Sequence, residues 1–77
     1  MNKNYYLVKL DSTEDYYKCT ALYKAESQEK IKKYLEETMA SDMYIVSIEE
    51  VDFENHKEEI LNLVSVEKKM YSLYEEI

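Results

Sequence analysis

A chain of 77 residues makes one small domain, spanning 1–77 with no linker, near the lower size at which folding needs no disulfide or metal. Its net charge of −7 argues against direct binding of nucleic acid or an anionic membrane, and because all ten positive charges are lysine it lacks the bidentate guanidinium fork used on phosphates and bases. Having no glycine excludes phosphate-cradling glycine loops, and a single cysteine, Cys19, excludes an internal disulfide.

Tyr5-Tyr6-Leu7-Val8-Lys9-Leu10 has strand composition, with Tyr6, Val8 and Leu10 on one face and Tyr5, Leu7 and Lys9 on the other. The short polar stretch Asp11 to Asp15 fits a hairpin loop. A second strand follows from Tyr16 to Lys24. Tyr17, Cys19, Ala21 and Tyr23 share one face, and Tyr16, Lys18, Thr20, Leu22 and Lys24 share the other, wetter one. Ser27 is then a good N-cap, with Glu29 in the first turn and an incomplete capping box, because Lys30 holds the third position. Ile31, Tyr34, Leu35 and Met39 recur at helical spacing and predict an amphipathic helix from about Gln28 to Met39.

Ala40-Ser41-Asp42 leads into a third strand, Met43 to about Ile48. Asn55 with Glu58 reads as a capping box opening a last helix. Ile60, Leu63, Met70, Tyr74 and Ile77 form one apolar stripe and Leu61, Val64 and Tyr71 a second. Val64-Ser65-Val66 is a weak point that would split the tail into two short helices, but one long helix is favoured. The expected fold is α+β: a two-layer β-β-α-β-α domain whose three-stranded antiparallel sheet has order 2-1-3 and carries both helices on one face. The uncovered face would show Tyr5, Leu7, Tyr16, Thr20 and Leu22, an apolar contact surface unless the last helix wraps over it.

The densest charge lies between Glu49 and Glu59, where Glu49, Glu50, Asp52, Glu54, Glu58 and Glu59 face one lysine, Lys57. Such a row can imitate phosphates and attract a basic groove on a partner. It can equally be a solvated surface with good helix N-terminal chemistry. Asp11, Glu14 and Asp15 make a second acidic patch, which the 2-1-3 order places at the opposite end of the sheet. No calcium-loop pattern accompanies either patch, so no metal and no cofactor is expected.

His56, among Glu54, Glu58 and Glu59, reads as a surface residue, and Cys19 as a small core residue. No nucleophile, base and orienting group stand together, so the chain is expected not to be an enzyme. With no basic-then-apolar leader and no apolar run of spanning length, a cytoplasmic location is expected.

Compact, acidic, cysteine-poor chains of this length resemble in kind the phage-borne counter-defence proteins, anti-CRISPRs and DNA mimics among them. The likeness is compositional, and no motif carries it. It implies an inhibitor that occludes a basic, nucleic-acid-binding surface of another protein. The contacts would be the six carboxylates from Glu49 to Glu59, with Asp11, Glu14 and Asp15, and Tyr5 and Tyr16 as apolar anchors. The alternatives are a homodimeric regulatory or small-ligand module built on the open sheet face or an edge strand, and a minor subunit that stabilises a larger assembly.

Overall fold

A computed structural model gives the fold for residues 2–13, 18–64 and 74–77. The elements are β1 (Asn4–Ser12), β2 (Lys18–Ala25), α1 (Gln28–Thr38), β3 (Met43–Val51), α2 (Lys57–Leu63) and β4 (Glu75–Glu76). The class is α+β. The order across the sheet is β3-β1-β2-β4, so the three expected strands stand as 2-1-3 with β1 central. A fourth strand adds a parallel pairing to β2, Tyr23 opposite Glu75 and Lys24 opposite Glu76, which makes the sheet mixed.

The hairpin register pairs Tyr6 with Tyr23, Val8 with Ala21 and Leu10 with Cys19. These residues form one face, and α1 closes over it. Ser27 stays extended, and its hydroxyl accepts a hydrogen bond from the Lys30 amide at 3.3 Å. The capped helix then drops Ile31 and Leu35 onto Tyr6, Val8, Tyr23 and Ala25. Fully burying each such aliphatic side chain contributes about 1.5–3 kcal/mol.

β3 reaches this face by an irregularity. Ser47 pairs with Lys9 and Ile45 with Leu10, so Val46 is an extra residue with no partner on β1. Strict alternation would set Ile45 and Ile48 on opposite faces. The bulge brings Met43, Ile45 and Ile48 all to the α1 core and leaves Val46 56% exposed.

The helices do not share a face. Leu7 and Leu22 are directly opposed in the register on the side away from α1, and both are buried. They form a second core with Phe53, Ile60 and Val64, and Tyr5, Val51, Leu61 and Tyr74 pack around it. The domain is therefore three layers, α1 and α2 on opposite sides of the sheet. Two facing leucines and a half-apolar rim left too much area for water, and the chain after β3 covers it. The expected open face is accordingly closed along the half that holds Leu7 and Leu22. Lys9 and Lys18, on the other half, stay exposed.

The single long last helix is also corrected. α2 ends at Val64, whose backbone is extended (φ −79°, ψ 139°), and the chain is a strand again at Glu75. Val64 is buried while Leu63 is 58% exposed, so the inward face is Ile60-Leu61-Val64 and not the Ile60-Leu63 stripe. Met70 and Tyr71 lie outside the described residues.

The last four residues alternate across the sheet as a strand must. Tyr74 packs with the α2 core, Glu75 takes the Tyr34 hydroxyl on the α1 side at 2.6 Å, Glu76 pairs with Lys3 at 3.0 Å, and Ile77 packs on the α1 core. The Ile77 amide donates to the Lys24 carbonyl at 2.8 Å. This short strand ties the two cores together.

Candidate acidic interface

The acidic region is built on the end of β3. Pairing with β1 runs through Val51 opposite Tyr5, three residues past the expected end of the strand. Glu49 lies opposite Leu7 and Glu50 opposite Tyr6, so the two carboxylates leave the strand on opposite faces. Both are exposed, since each stands at the sheet margin beyond the helix that covers its face.

The turn after β3 is pinned by a buried aromatic. Phe53 is 4% exposed, with its ring 4.8 Å from Tyr5 and 6.3 Å from Tyr74. Tyr5 and Tyr74 meet edge to face at 5.3 Å, and the Lys24 ammonium sits over both rings, at 5.2 and 5.9 Å. With Phe53 turned inward, its neighbours Asp52 and Glu54 are turned outward, and both are exposed.

No capping box forms at Asn55. Its side-chain amide donates to Asp52 Oδ2 at 2.7 Å and its backbone amide to Asp52 Oδ1 at 3.4 Å, which closes the turn. The residue before α2 is His56, whose side chain makes no cap hydrogen bond. The Asp52 carboxylate takes both the backbone and the side-chain amide of Asn55, so the Asn55 side chain is held back toward the turn. Glu58 and Glu59 then occupy the first turn of α2, where negative charge suits the positive helix end.

All six carboxylates from Glu49 to Glu59 are exposed; Glu49, Glu50, Asp52 and Glu59 line one hollow, and Glu50, Asp52 and Glu54 another. Against Lys57 they leave five net negative charges, most of the chain's seven. Compensation within the region is weak. The Lys57 ammonium lies 6.0 Å from the Phe53 ring, and His56 Nδ1 is 4.0 Å from Glu59 Oε2 with both side chains more than half exposed. Pairs of that kind contribute little in water. A shallow hollow of about 330 Å³ opens here, with Glu49, Glu50, Asp52, His56 and Glu59 around the apolar Val51 and Ile60. Among the described residues no group of three or more His, Cys, Asp or Glu is arranged to hold a metal ion.

The second patch stands at the far end of β1. Asp11 lies opposite Tyr44, six residues from the Tyr5–Val51 pair, about 20 Å along the strand. Asp11 is half-buried, and its Oδ1 accepts the Ser12 amide at 2.7 Å. The buried Ser12 hydroxyl donates to Asp42 Oδ2 at 3.1 Å, and the Thr13 amide donates to the Asp42 carbonyl at 2.8 Å. Asp42 therefore joins Asp11 at this end, a neighbour that only the strand register reveals. Glu14, Asp15 and Tyr16 lie outside the described residues.

Tyr5 is not an open anchor, since it is half-buried between Phe53, Tyr74 and Lys24. Among the described residues the exposed aromatic is Tyr44, 45% exposed beside Val46 on the outer strand. Strand alternation alone hid it, because the face that β3 turns inward is set by the bulge. Cys19 is half-buried against the α1 core. His56 is exposed, as expected of a surface residue. Among the described residues no helix is long and apolar enough to cross a membrane.

Comparison with family models, with curated protein sequences and with solved structures returns no match.

Proposed function

We propose that the protein is a non-enzymatic inhibitor that lays its acidic end against a basic, nucleic-acid-binding surface of a partner protein and occludes it. The observation that carries this is the run of six exposed carboxylates along the end of β3, the turn held down by Phe53 and the start of α2. The buried ring fixes where the charges point, so a partner meets a preset negative surface and little ordering is lost on binding. Long-range attraction then accelerates encounter. A phage-encoded counter-defence protein, of the DNA-mimicking anti-CRISPR kind, is the setting this reading fits, and such a protein acts in the cytoplasm.

The test is affinity capture from nuclease-treated lysate of the native cell, with Glu49→Lys, Glu50→Lys, Asp52→Lys and Glu54→Lys combined as the control. The account expects a basic nucleic-acid-binding protein to be retained by the native chain. The reversed chain, with an unchanged circular dichroism spectrum, should lose it, with association slowed by about 10- to 1000-fold. Equal capture by both chains would refute it.

A second reading, a homodimer, rests on β3. This strand is nine residues long, its outer edge carries no partner strand among the described residues, and its first six residues are uncharged. Tyr44 and Val46 are exposed on it. An open edge of that length pairs readily with a second copy. Sedimentation at micromolar concentration separates the readings: a dimer that dissociates on Val46→Pro favours edge pairing, and a monomer removes it.

A further inference from the structure

We infer that the cleft between α1 and the hairpin is a binding site for a small organic amine, with an apolar body held by the cleft and an ammonium received by Glu75. This site is separate from the acidic end and does not depend on it. The cleft is open to solvent and has a volume of about 400 Å³, within the range of about 300–1,000 Å³ typical of small-molecule sites. Its apolar walls come from Leu10 on β1, Leu35 and Met39 on and after α1, and Met43 on β3. Tyr23, Tyr34 and Glu75 line it together, with the Tyr34 hydroxyl on the Glu75 carboxylate, and Cys19 and Thr38 add further polar groups.

Glu75 sets the ligand's charge. It stands on β4 opposite Tyr23 and accepts the Tyr34 hydroxyl at 2.6 Å on Oε1, a bond that leaves most of the carboxylate's acceptor capacity unused. Among the described residues the ion pairs are Lys3–Glu76 and His56–Glu59, so Glu75 has no cation there. The contrast with the adjacent residue is sharp. Glu76 is held below the usual carboxylate range by its hydrogen bond from Lys3, whereas the nearby Lys24 ammonium is turned to the other face, over Tyr5 and Tyr74.

A carboxylate lining an apolar cleft is an unmatched charge that a ligand ammonium would complete. Two aromatic rings flank the position, Tyr23 and Tyr34, with centroids 6.2 Å apart at 63°, and ring faces favour cations. Their hydroxyls are strongly held in the neutral form: Tyr23 is pushed well above the ordinary tyrosine range, chiefly by burial and then by Glu75, and Tyr34 is raised chiefly by its bond to Glu75. The site therefore offers one negative charge among neutral hydroxyls, and the carboxylate repels an anion.

The experiment titrates the full chain with 4-phenylbutylamine, 4-phenylbutanol and 4-phenylbutyrate, which share an apolar body and differ in head group. Calorimetry and tyrosine fluorescence serve as readouts, since the chain has nine tyrosines and no tryptophan. The amine should bind at least tenfold more tightly than the alcohol, and the carboxylate should not bind. Glu75→Gln, which keeps an acceptor for Tyr34, should remove the preference for the amine, and Glu76→Gln should leave it intact. A folded Glu75→Gln chain that still prefers the amine, equal binding of amine and alcohol, or no binding of the amine would each overturn the proposal. Loss of amine preference in Glu76→Gln alone would overturn it too, by placing the charge on the wrong side of β4.

Discussion

The two faces of the sheet are sealed by different means. On the α1 face the cover is local in the chain: β2 ends at Ala25, Ser27 caps, and Ile31 and Leu35 descend within ten residues. On the other face the cover is assembled from separate pieces. Phe53 comes from a turn, Ile60 and Val64 from the seven-residue α2 and its end, and Tyr74 from the far end of the chain. A helix of two turns has almost no stability of its own. It is held in place by what Phe53 and Ile60 bury against Leu7 and Leu22. The turn and helix that carry Asp52, Glu54, Glu58 and Glu59 belong to this second, assembled face, so the placement of that charge depends on aromatic packing more than on helix formation.

That contrast can be broken first at its strongest contact. Phe53→Ala should cost about 3–5 kcal/mol, the range for removing a buried ring. Measured by hydrogen exchange, protection should fall furthest in α2 and the end of β3 while the amides of α1 keep most of theirs. Equal loss on both faces would show that they form one cooperative unit. The helix caps give a finer comparison. Ser27→Ala removes a cap hydrogen bond that exists and should cost about 0.5–2 kcal/mol in urea unfolding. Asn55→Ala removes only the exposed side-chain bond to Asp52 and keeps the backbone one, so its cost should stay within about 0.5 kcal/mol. A larger cost at Asn55 than at Ser27 would reverse the assignment of which helix start is capped.

The parts legible in the sequence are those with a short period. Alternation along Tyr5 to Leu10 and from Lys18 to Lys24 gives the faces of the hairpin as they stand, and Ser27 with Ile31 and Leu35 marks α1 and its cap. The 2-1-3 order followed from a hairpin, a helix and one more strand. What escaped has no period to read. The bulge at Val46 is a single inserted residue, and it re-aims half of β3. Leu22 was hidden by its company, since Lys18, Thr20 and Lys24 on the same face suggest water, yet only part of that face is wet. The acidic pair Glu75-Glu76 looks helical beside Tyr74 and Ile77, and its pairing with Tyr23 and Lys24 is a contact across more than fifty residues. At the acidic end the identities of the charged residues were plain, and their exposure followed. The anchor that orients them, Phe53, carries no such signal, because one aromatic in a run of carboxylates reads as part of a polar turn.

The most direct test of the account is the salt dependence of binding to whatever basic protein the native chain retains. As added salt shortens the Debye length from about 30 Å to about 3 Å, an interface made by the carboxylates of Glu49 to Glu59 should weaken steeply, mainly through a slower association rate. Affinity that stays level across that range would mean contact through apolar surface, and would contradict the claim that this chain works by presenting negative charge.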